Sequence, residues 1–571
     1  MAPESSHRDG DTDGGLVESV LPIARWLPRY DASLFRPDLF AGITVAAAIL
    51  PEGMAYASLA GLPPETGLYA SLLALLAYVF VGTSKQVIYG PTSALAILVA
   101  SGVGSVASGS PADYASLVAL TTLLVGLVSV VAWLFRLGFV VNFISESVLT
   151  GFSAGAALYI TATQLDKLFG IPRASGTFFD RLGFVVSHLG ATNLPTLAVG
   201  IAAIVLLVLG ERYARRFPTA LLVVLLATGL VAVTNLEARG VEIVGNIPNG
   251  LPPLSIPTLT TGTLPDLLPV AFALFLLSYV QGMGAVETFA RRHDDSVDAN
   301  QELLADGLTN LAAGIGHGFV VGGSMSRSAL NDEIGGKTQL TSGVAAVAIT
   351  LVLLFLTDLF TTLPETVLAA VVIVAVSGLV DVSELKRIYR IDKPEFATAA
   401  SAFLGVLFFG MLSGVFIGVL VSILVVVARA TYPHTATIGR VPGSDEFSDL
   451  SRHPENERVP GVLVYRVDAE LFFANAPTIR AAVMDEVDTR ERPVSLVVLD
   501  MRSSPTVDLT AADMLVSLAK DLEKRGIDFR LAEADGPVRD TLAAIDSAKP
   551  FGDVPLNERV VTVIDEWQRE W

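Results

Sequence analysis

The stretch from Gly318 to Asn331, GFVVGGSMSRSALN, sets three serines and an arginine inside a long hydrophobic sequence. Gly322 and Gly323 break the preceding element, and either Ser324 or Ser326 can cap the helix that follows. A helix N-terminus carries free N–H groups and a partial positive charge, and Arg327 in its first turn adds a full one. This chemistry holds an anion. Arg327 reads as an electrostatic attractor rather than as a side chain snorkelling at a membrane boundary. Ser326 and Ser324 each keep two roles open, ligand and simple N-cap.

A second stretch repeats the device. In YGPTSALAILV, Gly90-Pro91 leads into Thr92, Ser93 and Ala94. Proline lacks an N–H and suits a first turn, so the N–H groups that follow stay free for an anion, with a plain helix start after a loop as the alternative. A carboxylate completes the set. Glu52 follows Pro51 about 21 Å into an otherwise uncharged apolar run. An intramembrane carboxylate is a candidate proton carrier, with a structural role beside Pro51 as the alternative. Tyr56 lies one turn further on the same face and either lines the site or packs. His317 reads as a loop residue, and Glu287 as half of a boundary ion pair with Arg291 or Arg292.

The elements that must position these residues are membrane spans. Of 571 residues, 52% are hydrophobic and only 17% charged, against about a quarter charged in a soluble protein. Mean hydropathy is +0.59. The apolar runs are continuous and of span length, which indicates helices rather than a barrel. There is no cysteine, so thiolate and Cys-metal chemistry are excluded. No metal-ligand spacing, P-loop or dinucleotide fingerprint occurs, so no cofactor is expected and the chain does not read as an enzyme. A net charge of −19 argues against nucleic acid. From His434 onward, 26 Asp and Glu face 16 Lys and Arg, a balance of −10.

Residues 1–36 read as a cytoplasmic N-terminal segment, polar at first and then mildly amphipathic from Leu21 to Tyr30. Fourteen segments are expected within 37–431. The third of each half is short and glycine-interrupted, and the piece at 324–334 is only about 16 Å long as a helix. Matching short segments in two halves point to an inverted repeat with a midplane site. Lys85, Arg136, Arg212/Arg215/Arg216, Arg291/Arg292, Lys337, Lys386/Arg387 and Arg429 share one side if the N-terminus is cytoplasmic. Lys167, Arg173 and Arg181 are the exceptions. Residues 432–460 read as a polar linker. From 461 to 571, VLVYRV, VSLVVLDM and DFRLAEA alternate with helical stretches and indicate a small α/β domain.

These residues resemble the SulP anion transporters, solute carrier family 26. The carriers of the resemblance are ILPEGMAYASLAGLPPETGLYAS, YGPTSALAILV, SVDANQELLADGLTNLAAG and GGSMSRSALNDEIGGKTQL. The tail resembles a STAS domain, which that family carries on the cytoplasmic side. The resemblance implies a 7+7 inverted repeat with core and gate domains, an anion between the N-termini of half-helices 3 and 10, elevator-like movement and usually a homodimer. It implies the plasma membrane as location, and sulfate, bicarbonate, chloride or dicarboxylate as substrate. Glu52 then reads as the coupling-proton site. Gln281 stands where some relatives carry an acidic residue, so sodium is the lesser coupling candidate. The expectation is secondary active, proton-coupled anion transport, with an exchanger, an uncoupled channel or a sensor as alternatives. In VDLTAADML, Thr510 matches the hydroxyl that is phosphorylated in the anti-sigma-factor antagonists of this fold. The competing reading makes Thr510 the N-cap, boxed by Asp513.

Overall fold

The computed structural model describes residues 20–107, 110–139, 145–214, 217–257, 263–490, 492–545, 551 and 555–570. The polar start of the chain, Arg215 and Arg216 lie outside the described residues. The chain divides into two compact units, Met1–Ser422 and Ile423–Trp571.

Among the described residues of the first unit, fourteen helices follow the expected order, the last of them ending in the second unit. They are α1 (Phe35–Leu59), α2 (Pro64–Val81), α3 (Ser93–Val106), α4 (Pro111–Leu134), α5 (Glu146–Phe169), α6 (Leu194–Tyr213) and α7 (Thr219–Thr234) in the first half. The second half has α8 (Leu264–His293), α9 (Ala299–Ile315), α10 (Met325–Ile334), α11 (Leu340–Phe355), α12 (Glu365–Ser377), α13 (Lys393–Phe409) and α14 (Met411–Thr431). By length and apolarity eight spans can cross a membrane unaided, and α3, α7 and α11 are shorter apolar helices. Two further helices, Phe178–Ser187 and Val382–Ile391, lie between these elements. Leu21–Tyr30, expected to be amphipathic, forms a short α-turn and a 3-10 turn.

The packing sorts the helices by their place in each half. Helix α9 packs on α4 and α2, α11 on α1 and α2, and α8 on α3 and α4. Separately, α13 packs on α5, and α12 on α5 and α6. One set is therefore α1–α4 with α8–α11, and the other α5–α7 with α12–α14. This is the core and gate division of a 7+7 repeat. Asp38 at the start of α1 fastens the two halves together. Its carboxylate accepts from the N–H of Lys337 at 2.7 Å and from the Thr338 hydroxyl at 2.6 Å, just before α11.

The short helices are each introduced by a three-residue strand, β1 (Ile88–Gly90) before α3 and β2 (Gly322–Ser324) before α10. The strands pair antiparallel, with Ile88 opposite Ser324, Tyr89 opposite Gly323 and Gly90 opposite Gly322. Three residues without period-2 patterning give no strand signal in sequence. Gly323 is required here: a Cβ would sit 2.7 Å from the Gly282 Cα of α8.

The second unit holds a five-stranded sheet of order β4-β3-β5-β6-β7. Its strands are β3 (Thr435–Arg440), β4 (Phe447–Asp449), β5 (Val462–Val467), β6 (Leu496–Asp500) and β7 (Asp528–Ala532). Strands β5, β6 and β7 are parallel, and β3 runs antiparallel to β4 and β5. Strands β3 and β4 fall inside 432–460, so the stretch expected as a linker supplies two strands of the sheet. Side chains alternate across it. Leu463, Tyr465 and Val467 meet α15 (Ala476–Thr489), α16 (Leu509–Glu523) and α17 (Gly536–Ala544), while Val462 and Val464 meet α18 (Val560–Glu570).

Candidate functional site

The β1–β2 ribbon brings the two predicted helix starts together. Thr92 caps α3, its hydroxyl oxygen accepting from the Leu95 N–H at 3.4 Å, and it donates to Gln281 Oε1 of α8 at 3.2 Å. Ser324 caps α10, accepting from the Arg327 N–H at 3.5 Å. The cap role therefore falls to Ser324, and Ser326 lies inside the helix with its Oγ 3.3 Å from that of Ser324. Ser93 and Ala94 are buried, whereas Ser326 is exposed. The first N–H groups of each helix have no intrahelical acceptor, so both starts retain hydrogen-bonding capacity.

Arg327 is the third residue of α10 and only 2% exposed. Its Nη1 lies 3.2 Å from Glu52 Oε2, and its Nε and Nη2 are buried without a hydrogen-bond acceptor. A Cβ at Gly90 would lie 3.3 Å from Nη2, so the guanidinium rests against the β1 backbone. The charge is thus held beneath the ribbon, between α1 and the strand of the opposite half. An arginine this deep is not snorkelling. Glu52 meets it from the turn of α1 that contains Pro51, which has no N–H for the preceding turn. Tyr56, one turn on, is buried.

Side chains that sequence inspection passed over fix this geometry. Ser328 accepts from the Ile88 N–H at 2.9 Å and donates to the Ser324 carbonyl at 2.6 Å. Asn331 donates to the Gln86 carbonyl at 2.9 Å. The inner face of α10 is therefore bonded to the approach to β1. On α9, Glu302, Asp306 and Asn310 recur every fourth residue and are buried. Asn310 clamps Val321 just before β2, accepting from its N–H at 3.0 Å and donating to its carbonyl at 3.1 Å. Asp306 accepts from Ser278 and, at 2.8 Å, from Ser129. Glu302 accepts from the Thr83 N–H at 2.9 Å and from the Thr83 and Tyr78 hydroxyls. The polar stripe in NQELLADGLTN carries the four-residue spacing of one helix face, and that was the available signal.

Ser326 opens onto a cleft of about 450 Å³, lined also by Ala48 of α1, Gly210 of α6, Thr219 of α7 and Ala329 of α10. The cleft thus runs between helices of the two sets. His317 is a loop residue, its Nε2 2.6 Å from Ser255 Oγ. Glu287 makes a loose pair with Arg291 at 4.0 Å, while Arg292 is taken by Asp332 at 2.8 Å. Of the three basic exceptions, Lys167 is paired with Glu365 at 3.1 Å, and Arg181 donates to the carbonyls of Ala174 and Gly176. Thr510 is exposed in the second unit, and it is not the cap of α16. Asp508 is, accepting from the Ala511 N–H at 2.8 Å.

Comparison with known proteins agrees with this architecture. The sequence profile of the sulfate permease family matches residues 35–402, and that of the STAS domain matches residues 453–560. A probable sulfate transporter of Mycobacterium tuberculosis is 37% identical over 552 residues, covering 96% of this chain and 99% of that protein. High affinity sulfate transporter 2 of Stylosanthes hamata is 30% identical, covering 94% of this chain and 84% of its own length. Among solved structures, the murine solute carrier 26 family member A9 anion transporter in the inward-facing state aligns with a TM-score of 0.85 at 26% identity, over 94% of this chain and 92% of that one. The transmembrane domain of a cyanobacterial bicarbonate transporter, BicA, aligns with a TM-score of 0.60 at 20% identity, over 69% of this chain and 98% of that one. The chain belongs to the sulfate permease family and carries a C-terminal STAS domain.

Proposed function

We propose that this protein is a secondary active transporter that carries a small anion of the sulfate, bicarbonate or dicarboxylate class together with a proton. Membership of the family makes it an anion transporter of the membrane rather than an enzyme. The finer reading rests on one observation, the pairing of buried Arg327 with half-buried Glu52 behind two helix starts.

The charges decide the coupling. Each helix N-terminus contributes roughly half a positive charge, and Arg327 contributes one. With Glu52 ionised, the site sums to about +1, which suits a monovalent anion. With Glu52 protonated it sums to about +2, which suits a divalent one. A proton on Glu52 also frees the Arg327 guanidinium from its one ion-pair partner among the described residues. Loading a divalent anion and loading a proton therefore favour each other, which is the reciprocity symport requires. Thr92, Ser93, Ala94, Ser326 and Tyr56 would surround the anion. Ser324 and Gln281 would hold the helix starts in place.

Movement of the α1–α4/α8–α11 set against the other set, elevator-fashion, would carry the site across. The Ser326 cleft would be its route to the cytoplasm. We place the N-terminus and the STAS domain in the cytoplasm and the protein in the plasma membrane, as a homodimer. The larger number of basic residues on the side of Lys85, Arg136, Arg291 and Arg292 supports this orientation.

The test is uptake into proteoliposomes with a panel of radiolabelled anions under imposed proton or sodium gradients. Accumulation that requires an inward proton gradient is expected for a divalent anion. Accumulation that ignores protons would defeat the coupling, and non-saturating flux that never exceeds equilibrium would replace the transporter with a channel. Light scattering of the purified protein tests the dimer.

A further inference from the structure

The second unit contains an arginine-lined cavity that the transport reading above does not involve. It has a volume of about 600 Å³ and lies at the start of β5, beyond the end of α15. Among the described residues, Arg458, Arg490 and Arg492 line it, with Glu486 as the one carboxylate. This concentration is unexpected by charge alone, since acidic residues outnumber basic ones by 26 to 16 from His434 onward.

Arg490 is built in. Its Nη1 donates to the Val462 carbonyl at 3.0 Å, which fixes the guanidinium at the base of the cavity. Its Nε is buried and has no hydrogen-bond acceptor, the nearest Glu486 oxygen being 3.6 Å away. Burial first, and the neighbouring Arg458 charge second, hold the Arg490 guanidinium below its ordinary value. Two like charges are thus kept near each other and only partly offset by Glu486. Helix dipole does not account for all three, because one cation is enough to satisfy a helix C-terminus.

We propose that this cavity binds a phosphate group carried on a molecule larger than the bare ion. Among the described lining residues three guanidinium groups face one carboxylate, an excess that favours an oxyanion. Guanidinium forks fit tetrahedral oxyanions with paired hydrogen bonds. The volume exceeds what inorganic phosphate alone would fill. The proposal is independent of which anion the membrane unit carries.

Pyrophosphate titrated calorimetrically into the full-length protein in phosphatidylcholine nanodiscs tests it. One site per chain is expected. In the doubly substituted Arg458→Gln/Arg492→Gln protein, affinity should fall roughly ten-fold or more. Both residues are exposed, so that variant should keep its melting temperature and its uptake of radiolabelled anion without pyrophosphate. Undiminished pyrophosphate binding in the variant, or no binding to wild type at millimolar concentration, overturns the proposal. Nanodiscs containing phosphatidylglycerol identify the source. Competition with pyrophosphate assigns the cavity to a lipid headgroup phosphate, and its absence assigns the cavity to a soluble phosphate compound.

Discussion

Arg327 of α10 and Glu52 of α1 meet at 3.2 Å although 275 residues separate them in sequence. The two halves of the membrane unit thus contribute one charge each to a single pair, buried at Arg327 and half-buried at Glu52. Glu52→Gln removes the titratable group and keeps the shape. The variant should lose accumulation driven by a proton gradient and keep counterflow exchange of anion for anion. Wild-type uptake should rise as the outside is acidified, and the variant should be flat. Proton-driven accumulation retained by the variant would place the coupling elsewhere.

Gly90 tests whether the arginine must rest on the ribbon. A methyl group there would stand 3.3 Å from Nη2 and 3.6 Å from Cζ, close enough to displace the guanidinium without colliding with backbone. Gly90→Ala should therefore fold and raise KM roughly ten- to a hundred-fold. Gly323→Ala meets backbone instead, at 2.7 Å, and should lower the melting temperature outright. Equal melting losses in both variants would show that Gly90 is structural too.

The serines separate in the same way. Ser324→Ala removes the α10 cap and should destabilise the protein by about 1 kcal/mol. Ser326→Ala removes an exposed hydroxyl that faces the cleft. It should leave the melting temperature within error and weaken anion affinity, read by titration of uptake. A stability loss confined to the Ser326 variant would reverse the two roles.

Burial of Asp306 predicts a cost without a direct chemical role. Asp306→Ala takes the shared carboxylate acceptor from the buried hydroxyls of Ser278 and Ser129, leaving each only a backbone carbonyl, of Val321 and Val125. The expected loss is about 1–3 kcal/mol, measured by thermal unfolding of the purified protein. Asp306→Asn keeps an acceptor and should recover much of it.

The fold could be read from the sequence because membrane spans announce themselves by length and apolarity. Fourteen helices are found where fourteen segments are expected, and the short piece expected at 324–334 is α10 at Met325–Ile334. The half-helices were visible because Gly90-Pro91 and Gly322-Gly323 interrupt apolar runs at corresponding places. Their pairing was not visible, since three-residue strands carry no period and β1 and β2 are far apart in the chain. For the same reason the partnership of Arg327 with Glu52 could not be read: each residue was conspicuous alone, but only tertiary packing brings them together. Strands β3 and β4 were missed because polar residues of 432–460 dominate the local composition, while few apolar side chains there, such as Ala436, Ile438 and Phe447, are buried. The α9 stripe of Glu302, Asp306 and Asn310 was legible by its spacing and was passed over.

Thr510 carries the remaining contrast between a cap and a regulatory hydroxyl. It is exposed at the second position of α16, and the capping bond belongs to Asp508, which also accepts from the Phe473 N–H at 2.8 Å. Thr510→Ala should therefore change stability by no more than about 0.5 kcal/mol. Asp508→Ala should cost about 1 kcal/mol and loosen both α16 and the Phe473 turn, read by hydrogen exchange of those peptides in the full chain. A phosphate on Thr510 would gain from the helix N-terminus and lose from the adjacent Asp508 carboxylate. Phosphorylation should thus shift exchange at the Phe473 turn, where Asp508 also bonds, more than within α16. Intact-mass measurement of protein purified from its source, followed by that exchange comparison, decides it. If the residue carries no phosphate under any growth condition, Thr510 is left as a plain surface residue of the helix.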